Sequence, residues 1–115
     1  MGRFLQIRVT VSTYDEAEAQ ARYKKLYALA WPVAATAPGE PRGLLELTQA
    51  LDDRVRLGDL PPAERSTLLP GVARAVAIKQ DLEAALGERD ARAADRASYA
   101  LEDALGELEK LAPKA

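Results

Sequence analysis

Lys79 is the residue whose position in the sequence most directly suggests chemistry. On a helical wheel it lies within an apolar stripe that contains Leu68, Val72 and Leu86. An ammonium group there needs a counterion, a route to solvent or a neutral state, because burial penalises an isolated charge. Glu83, one turn further along, is the available counterion. The pair is a candidate site for an anion or a Schiff base, while a lysine that reaches solvent or pairs at an oligomer interface is the favoured alternative.

Tyr99 is a second candidate, because it lies at the centre of a charged helix face that also carries Arg92 and Arg96. Tyr and Arg are enriched among the residues that dominate protein interfaces. The three residues therefore form a candidate surface for a protein partner. The alternative is an ordinary exposed aromatic side chain, which many monomers have.

Three further aromatic residues, Tyr23, Tyr27 and Trp31, follow one another at steps of four. An apolar stripe with helical spacing is typical of a core, so we interpret the two tyrosines as buried. Trp31 lies at the margin of the stripe and is a candidate interface residue. Lys24 and Lys25 fall on another side of the wheel from the tyrosines, so this segment does not present cations and aromatics on one surface, and we do not expect nucleic-acid binding.

Two pairs of carboxylates lie about one helical turn apart, Asp103 with Glu107 and Asp15 with Glu18. Oxygen ligands alone suffice for Mg²⁺, so such pairs deserve consideration as a metal site. Both pairs point away from the apolar seams, which is typical of solvated surface. We therefore predict no metal site.

The composition excludes several kinds of chemistry. The chain of 115 residues has no His and no Cys, so it cannot build a zinc site of the usual type, a disulfide, a thiol nucleophile or an imidazole base. We predict no catalytic residues and no cofactor. The 16 basic and 18 acidic side chains give a formal net charge of −2, which also argues against a generic nucleic-acid binder.

The candidate residues must be positioned by a small set of elements. Residues 4–12 alternate between apolar and polar, with Leu5, Ile7, Val9 and Val11 on one side, and predict one half-buried strand. A lone strand leaves backbone groups unpaired, so we expect it to pair with a second copy of the chain. The alternatives are addition to another protein's sheet edge and an edge strand that lies on the helices.

The remainder of the chain has helical composition and spacing, with a Pro/Gly loop at residues 32–43. The expected helices span residues 14–30, 44–57, 62–86 with a break at Pro70, and 90–112. A helical hairpin with a turn near residues 87–90 is favoured for the last part, and one long bent helix is the alternative. The predicted fold is a mainly α, single-domain bundle of about four helices, preceded by the N-terminal strand.

This architecture, without an assembled catalytic set, favours a non-enzymatic protein–protein interaction or accessory module that is dimeric through residues 4–12. The alternative is a small all-α hydrolase or ligand-binding domain that uses bundle carboxylates or Lys79 with an anionic substrate. The N-terminus lacks the apolar run of a secretory signal, and no segment approaches the roughly 18 apolar residues of a membrane span. A cytoplasmic location is therefore expected.

Overall fold

A computed structural model describes residues 15–31, 42–58 and 60–112, and these residues form five helices and no strand. The helices are α1 (Glu16–Arg22), α2 (Lys24–Ala30), α3 (Leu44–Leu57), α4 (Pro62–Gly87) and α5 (Ala91–Leu111). The predicted mainly helical character is confirmed. The predicted strand at residues 4–12 lies outside the described residues, as does most of the predicted loop.

Two short helices replace the single helix expected over residues 14–30. The first begins with a cap at Asp15, whose side chain accepts a hydrogen bond from the Glu18 N–H at 3.0 Å. The chain leaves helical geometry at Tyr23, where φ is −111° and ψ is 43°. The Tyr23 ring is buried and its hydroxyl donates to the Glu102 carbonyl in α5 at 3.3 Å. The interruption of the helix at Tyr23 therefore coincides with a hydrogen bond to α5, a contact that the helix propensities of residues 14–30 do not predict.

Helix α4 runs without interruption through Pro70, so the predicted break at this residue is absent. A proline inside a helix removes its own N–H and one hydrogen bond, which weakens the helix without ending it when packing compensates. Leu68 and Val72 lie on either side of Pro70 and are each only 1% exposed. Their burial holds the two parts of α4 against the same core, while Pro70 itself faces solvent.

Helices α4 and α5 form an antiparallel hairpin, which decides between the two arrangements considered for residues 71–112. The Asp90 N–H donates to the Ala85 carbonyl at 2.9 Å, and the Arg89 N–H donates to the Leu86 carbonyl at 3.1 Å. This pair of bonds is the Schellman arrangement for ending a helix. Its left-handed residue is Arg89, with φ of 58°, whereas Gly87 is still helical.

The core lies between α2, α3 and the hairpin. Its fully buried side chains are mostly leucines and valines: Leu26, Leu47, Leu51, Leu68, Leu105, Leu108, Val55 and Val72. Tyr23 and Tyr27 also belong to it, at 3% and 8% exposed. Gly71 allows the close approach of α4 to α5, because a Cβ at this position would lie 2.6 Å from Cδ2 of Leu108.

Candidate interaction surface

Lys79 lies on α4 with its side chain about one-fifth exposed. Its Nζ donates to Oε1 of Glu83 at 2.6 Å, and the glutamate side chain is about half exposed. The two groups therefore form a surface ion pair one helical turn apart, a type of pair that contributes little to stability. The structure thus brings Lys79 and Glu83 together as an ion pair.

Trp31 is half-buried at the end of α2. Its ring centroid lies 5.5 Å from that of Tyr27, and the Arg42 guanidinium carbon lies 4.7 Å from the Trp31 centroid. The Tyr27 hydroxyl donates to the Arg42 carbonyl at 2.6 Å, so both aromatic residues are engaged with the segment that leads into α3. Trp31 thus has contacts within the chain over much of its surface, which makes it a weaker interface candidate than the sequence suggests.

The outward side of α5 combines an exposed aromatic residue with charged side chains. Tyr99 lies at its centre and is 64% exposed. The charged residues around it occupy exposed positions one to three helical turns away: Arg92, Asp95, Arg96, Glu102, Asp103, Glu107 and Lys110. We refer to these eight residues, together with Gly106, as the outer face of α5. Tyr99, Arg92 and Arg96 are all exposed on this helix.

The charges of this face are almost entirely uncommitted within the described part of the chain. The one ion pair there joins Lys110 to Glu107 at 3.6 Å, between two well-exposed side chains. Arg92 and Arg96 form no ion pair or hydrogen bond with any described residue. An exposed tyrosine surrounded by free charges is able to bind another chain without first breaking contacts of its own.

The two buried tyrosines of the bundle, Tyr23 and Tyr27, have raised pKa values. Burial raises the pKa of Tyr27 to about 12, and the nearby carboxylates of Glu16 and Glu46 act in the same direction. Burial also raises the pKa of Tyr23, partly offset by the adjacent Arg22. The hydroxyls of both tyrosines donate hydrogen bonds to backbone carbonyls, those of Glu102 and Arg42.

A shallow apolar depression lies where the beginning of α4 meets the end of α5. Its lining consists of Ala63, Glu64, Thr67, Leu68 and Leu111. Glu64 is its one ionisable group, so the depression has no pair of groups for acid–base work. Over residues 15–31, 42–58 and 60–112, no three acidic side chains cluster closely enough to hold a metal ion. None of the helices in these ranges combines the length and apolar character needed to cross a bilayer.

Sequence reasoning overlooked Glu109. Its carboxylate reaches from α5 to the first turn of α2, where it accepts hydrogen bonds from two backbone N–H groups, those of Lys25 and Leu26. The signal available in the sequence is weak: Glu109 adjoins the buried Leu108 at the margin of the apolar seam. The residues expected to form a dimer contact, Leu5, Ile7, Val9 and Val11, lie outside the described residues.

Comparisons with known proteins add no functional assignment. No family model matches the sequence, and no curated protein or solved structure shows significant similarity to it. The class that the fold and the surface define is therefore a small α-helical domain with an exposed aromatic residue on a charged helix.

Proposed function

We propose that this chain is a non-enzymatic protein–protein interaction module that binds a partner through the outer face of α5. The supporting observation is the environment of Tyr99. Among the described residues it is the one exposed aromatic side chain, since Tyr23 and Tyr27 are buried and Trp31 is half-buried. A rigid tyrosine loses little conformational freedom on binding and offers both an apolar ring and a hydrogen-bonding hydroxyl.

Charges around Tyr99 give the proposed surface its specificity. Arg96 lies three residues before it and Glu102 three residues after it, both exposed. Such groups steer a partner into one orientation and disfavour partners of the wrong charge pattern. A tyrosine anchor inside a ring of solvated charges resembles the general anatomy of an interface with a central hot spot and a polar rim.

The proposed anchor is tested by placing the photoreactive residue p-benzoylphenylalanine at position 99 in cells that naturally express the chain. We expect ultraviolet irradiation to yield discrete adducts with protein. The same probe at Ala77, an exposed position of α4, is the matched control. Adducts that are no more abundant at position 99 than at position 77 would show that the outer face of α5 is not a binding surface.

Pairing between subunits through residues 4–12 is a separate part of the proposal. The chain without residues 1–12 should have a lower solution mass by light scattering if the strand joins two copies. An unchanged mass would remove the strand from the dimer contact and leave the surface around Tyr99 as the module's binding site. The alternative function, an anion site at Lys79, is less well supported because Glu83 already neutralises that lysine.

A further inference from the structure

The outer face of α5 is mainly basic before Tyr99 and mainly acidic after it, and only the ends of the helix, with the Asp90 cap and Lys110 in the last turn, follow the order that stabilises a helix. Before Tyr99, two of the three charged residues are arginines, and Arg92 lies in the first helical turn. After Tyr99, three of the four charged residues are acidic. A helix macrodipole favours anions near the N-terminus and cations near the C-terminus. The stability of α5 alone therefore does not account for this basic half and acidic half.

Gly106 is a second feature of this face that the described residues do not explain. It lies two turns after Tyr99 on the same side of α5, in the helix interior. A Cβ at this position would meet no atom within 4 Å, so no contact among the described residues requires a glycine. A glycine inside a helix costs about 1 kcal/mol relative to alanine. Its absent side chain leaves room for another chain to approach the α5 backbone closely.

We infer that a second copy of this chain covers the outer face of α5, with the two α5 helices antiparallel about a two-fold axis near Tyr99. This inference rests on the proposed function and names its partner. A two-fold axis reverses the direction of the second helix, so the basic half of each copy meets the acidic half of the other. In this arrangement Arg96 faces Glu102 of the second copy, and the Tyr99 rings lie next to the axis. Asp95 and Asp103 also lie opposite each other, a pair of like charges that limits the strength of the contact.

The geometry also predicts the strength of the contact. Helix α5 has 21 residues and is therefore about 30 Å long. A contact between two single helices of this length is smaller than a standard protein interface, and most of its charged groups lie at a solvated rim. The dimer is therefore weak and depends on salt. We expect its dissociation constant to rise at least about tenfold between 50 and 500 mM NaCl, because exposed charges are screened over this range.

Charge reversal tests the pairing directly. The full chain is studied by sedimentation velocity over a range of concentrations, as wild type, Arg96→Glu, Glu102→Arg and the double variant. Each single variant places like charges opposite each other and should weaken self-association about tenfold or more. The double variant exchanges the two charges and should associate nearly as well as wild type. An equimolar mixture of the two single variants should also form a mixed dimer.

Controls separate this contact from a general effect of charge. Arg74→Glu makes the same change in net charge as Arg96→Glu at an exposed position of α4, and it should associate like wild type. Circular dichroism should show equal helix content in all variants. Removal of residues 1–12 should leave the salt-sensitive association in place, because it leaves α5 intact.

The inference is wrong if the wild type stays monomeric or if the single variants associate normally. It is also wrong if the double variant and the mixture of the two single variants are folded but fail to recover association. Loss of all association on removal of residues 1–12, with no effect of the α5 variants, would also overturn it. These failures differ from failure of the proposed function. A monomeric chain that still forms adducts from position 99 with a different protein is an interaction module whose partner is not a second copy.

Discussion

The Glu109 carboxylate in α5 caps the neighbouring helix α2, with its Oε1 accepting a hydrogen bond from the Leu26 N–H at 3.0 Å. Its Oε2 accepts a second bond from the Lys25 N–H at 3.1 Å. The cap residue of α2, Tyr23, has no side-chain hydrogen bond to this turn. A helix N-terminus leaves its first N–H groups without helical partners and favours negative charge. Glu109 thus provides acceptors for two N–H groups in the first turn of α2 and links this helix to α5.

Replacement of Glu109 by alanine should lower the free energy of unfolding by about 1–2 kcal/mol, the usual range for loss of a helix cap. The reason is that two partly buried N–H groups lose their acceptor. Urea denaturation followed by circular dichroism measures the change. Glu107→Ala is the matched control, because Glu107 is exposed on the same helix. Equal effects of the two substitutions would contradict the capping role, and Glu109→Gln should fall between them because its amide keeps one acceptor.

The turn between α4 and α5 gives a second prediction. Arg89 has a φ of 58°, a conformation that is unfavourable for a residue with a Cβ. Arg89→Gly removes this strain and should raise the free energy of unfolding by about 0.5–1 kcal/mol relative to Arg89→Ala. Both variants remove the guanidinium group, so their difference isolates the backbone effect. Thermal unfolding provides the comparison, and a glycine variant no more stable than the alanine variant would show that the turn is not strained.

The sequence was sufficient to predict the apolar faces of the helices. Leu47, Leu51 and Val55 repeat at steps of four in α3 and are all buried. After Leu86 the apolar residues shift to a different angle on the helical wheel. This shift predicted two helices joined by a turn in place of one continuous helix. Breaks in helices were predicted less well. Pro70 predicted a helix break that is absent, because α4 continues through it. Tyr23 ends α1 although it is neither a proline nor a glycine.

The candidate surface was accessible to sequence reasoning only in part. Tyr99 stood out because an aromatic residue on a charged face departs from the usual pattern of a solvated helix. Glu109 did not stand out, since a glutamate in the last turns of a helix is indistinguishable from a solvated one until the packing of α2 is known. Gly106 also did not stand out, because the sequence does not distinguish it from Gly71. Only the structure shows that Gly71 packs closely against Leu108, whereas a Cβ at Gly106 would meet no described atom within 4 Å.

These two glycines give a third prediction with opposite signs. Gly106→Ala should raise the free energy of unfolding of the monomer by about 0.5–1 kcal/mol, because a methyl group there would meet no described residue of its own chain and alanine favours the helix. Gly71→Ala should lower it, because its Cβ would lie 2.6 Å from the buried Leu108 side chain. Chemical denaturation of both variants tests the pair. A stabilising Gly71→Ala would mean that α4 and α5 are less closely packed than the structure has them.

Tyr27 connects the core to the segment before α3, and its environment predicts a dependence on alkaline pH. The hydroxyl is a donor to the Arg42 carbonyl, so ionisation would remove the hydrogen bond and place a charge in a buried position. Burial accordingly raises the pKa of Tyr27 to about 12 from an ordinary value of 10.0. The folded chain therefore holds this proton more tightly than the unfolded chain does.

The stability that Tyr27 contributes should be fully present below pH 10 and be lost as the pH rises toward 12. In urea denaturation at pH 9 and at pH 11.5, we expect the free energy of unfolding to fall more for wild type than for Tyr27→Phe. Some decrease should remain in the variant, because the pKa of Tyr23 is also raised by burial. At pH 7 the substitution should cost about 1 kcal/mol through loss of the hydrogen bond alone. An equal decrease in both proteins at high pH would show that the Tyr27 hydroxyl is not held in the buried, protonated state that the structure places against Arg42.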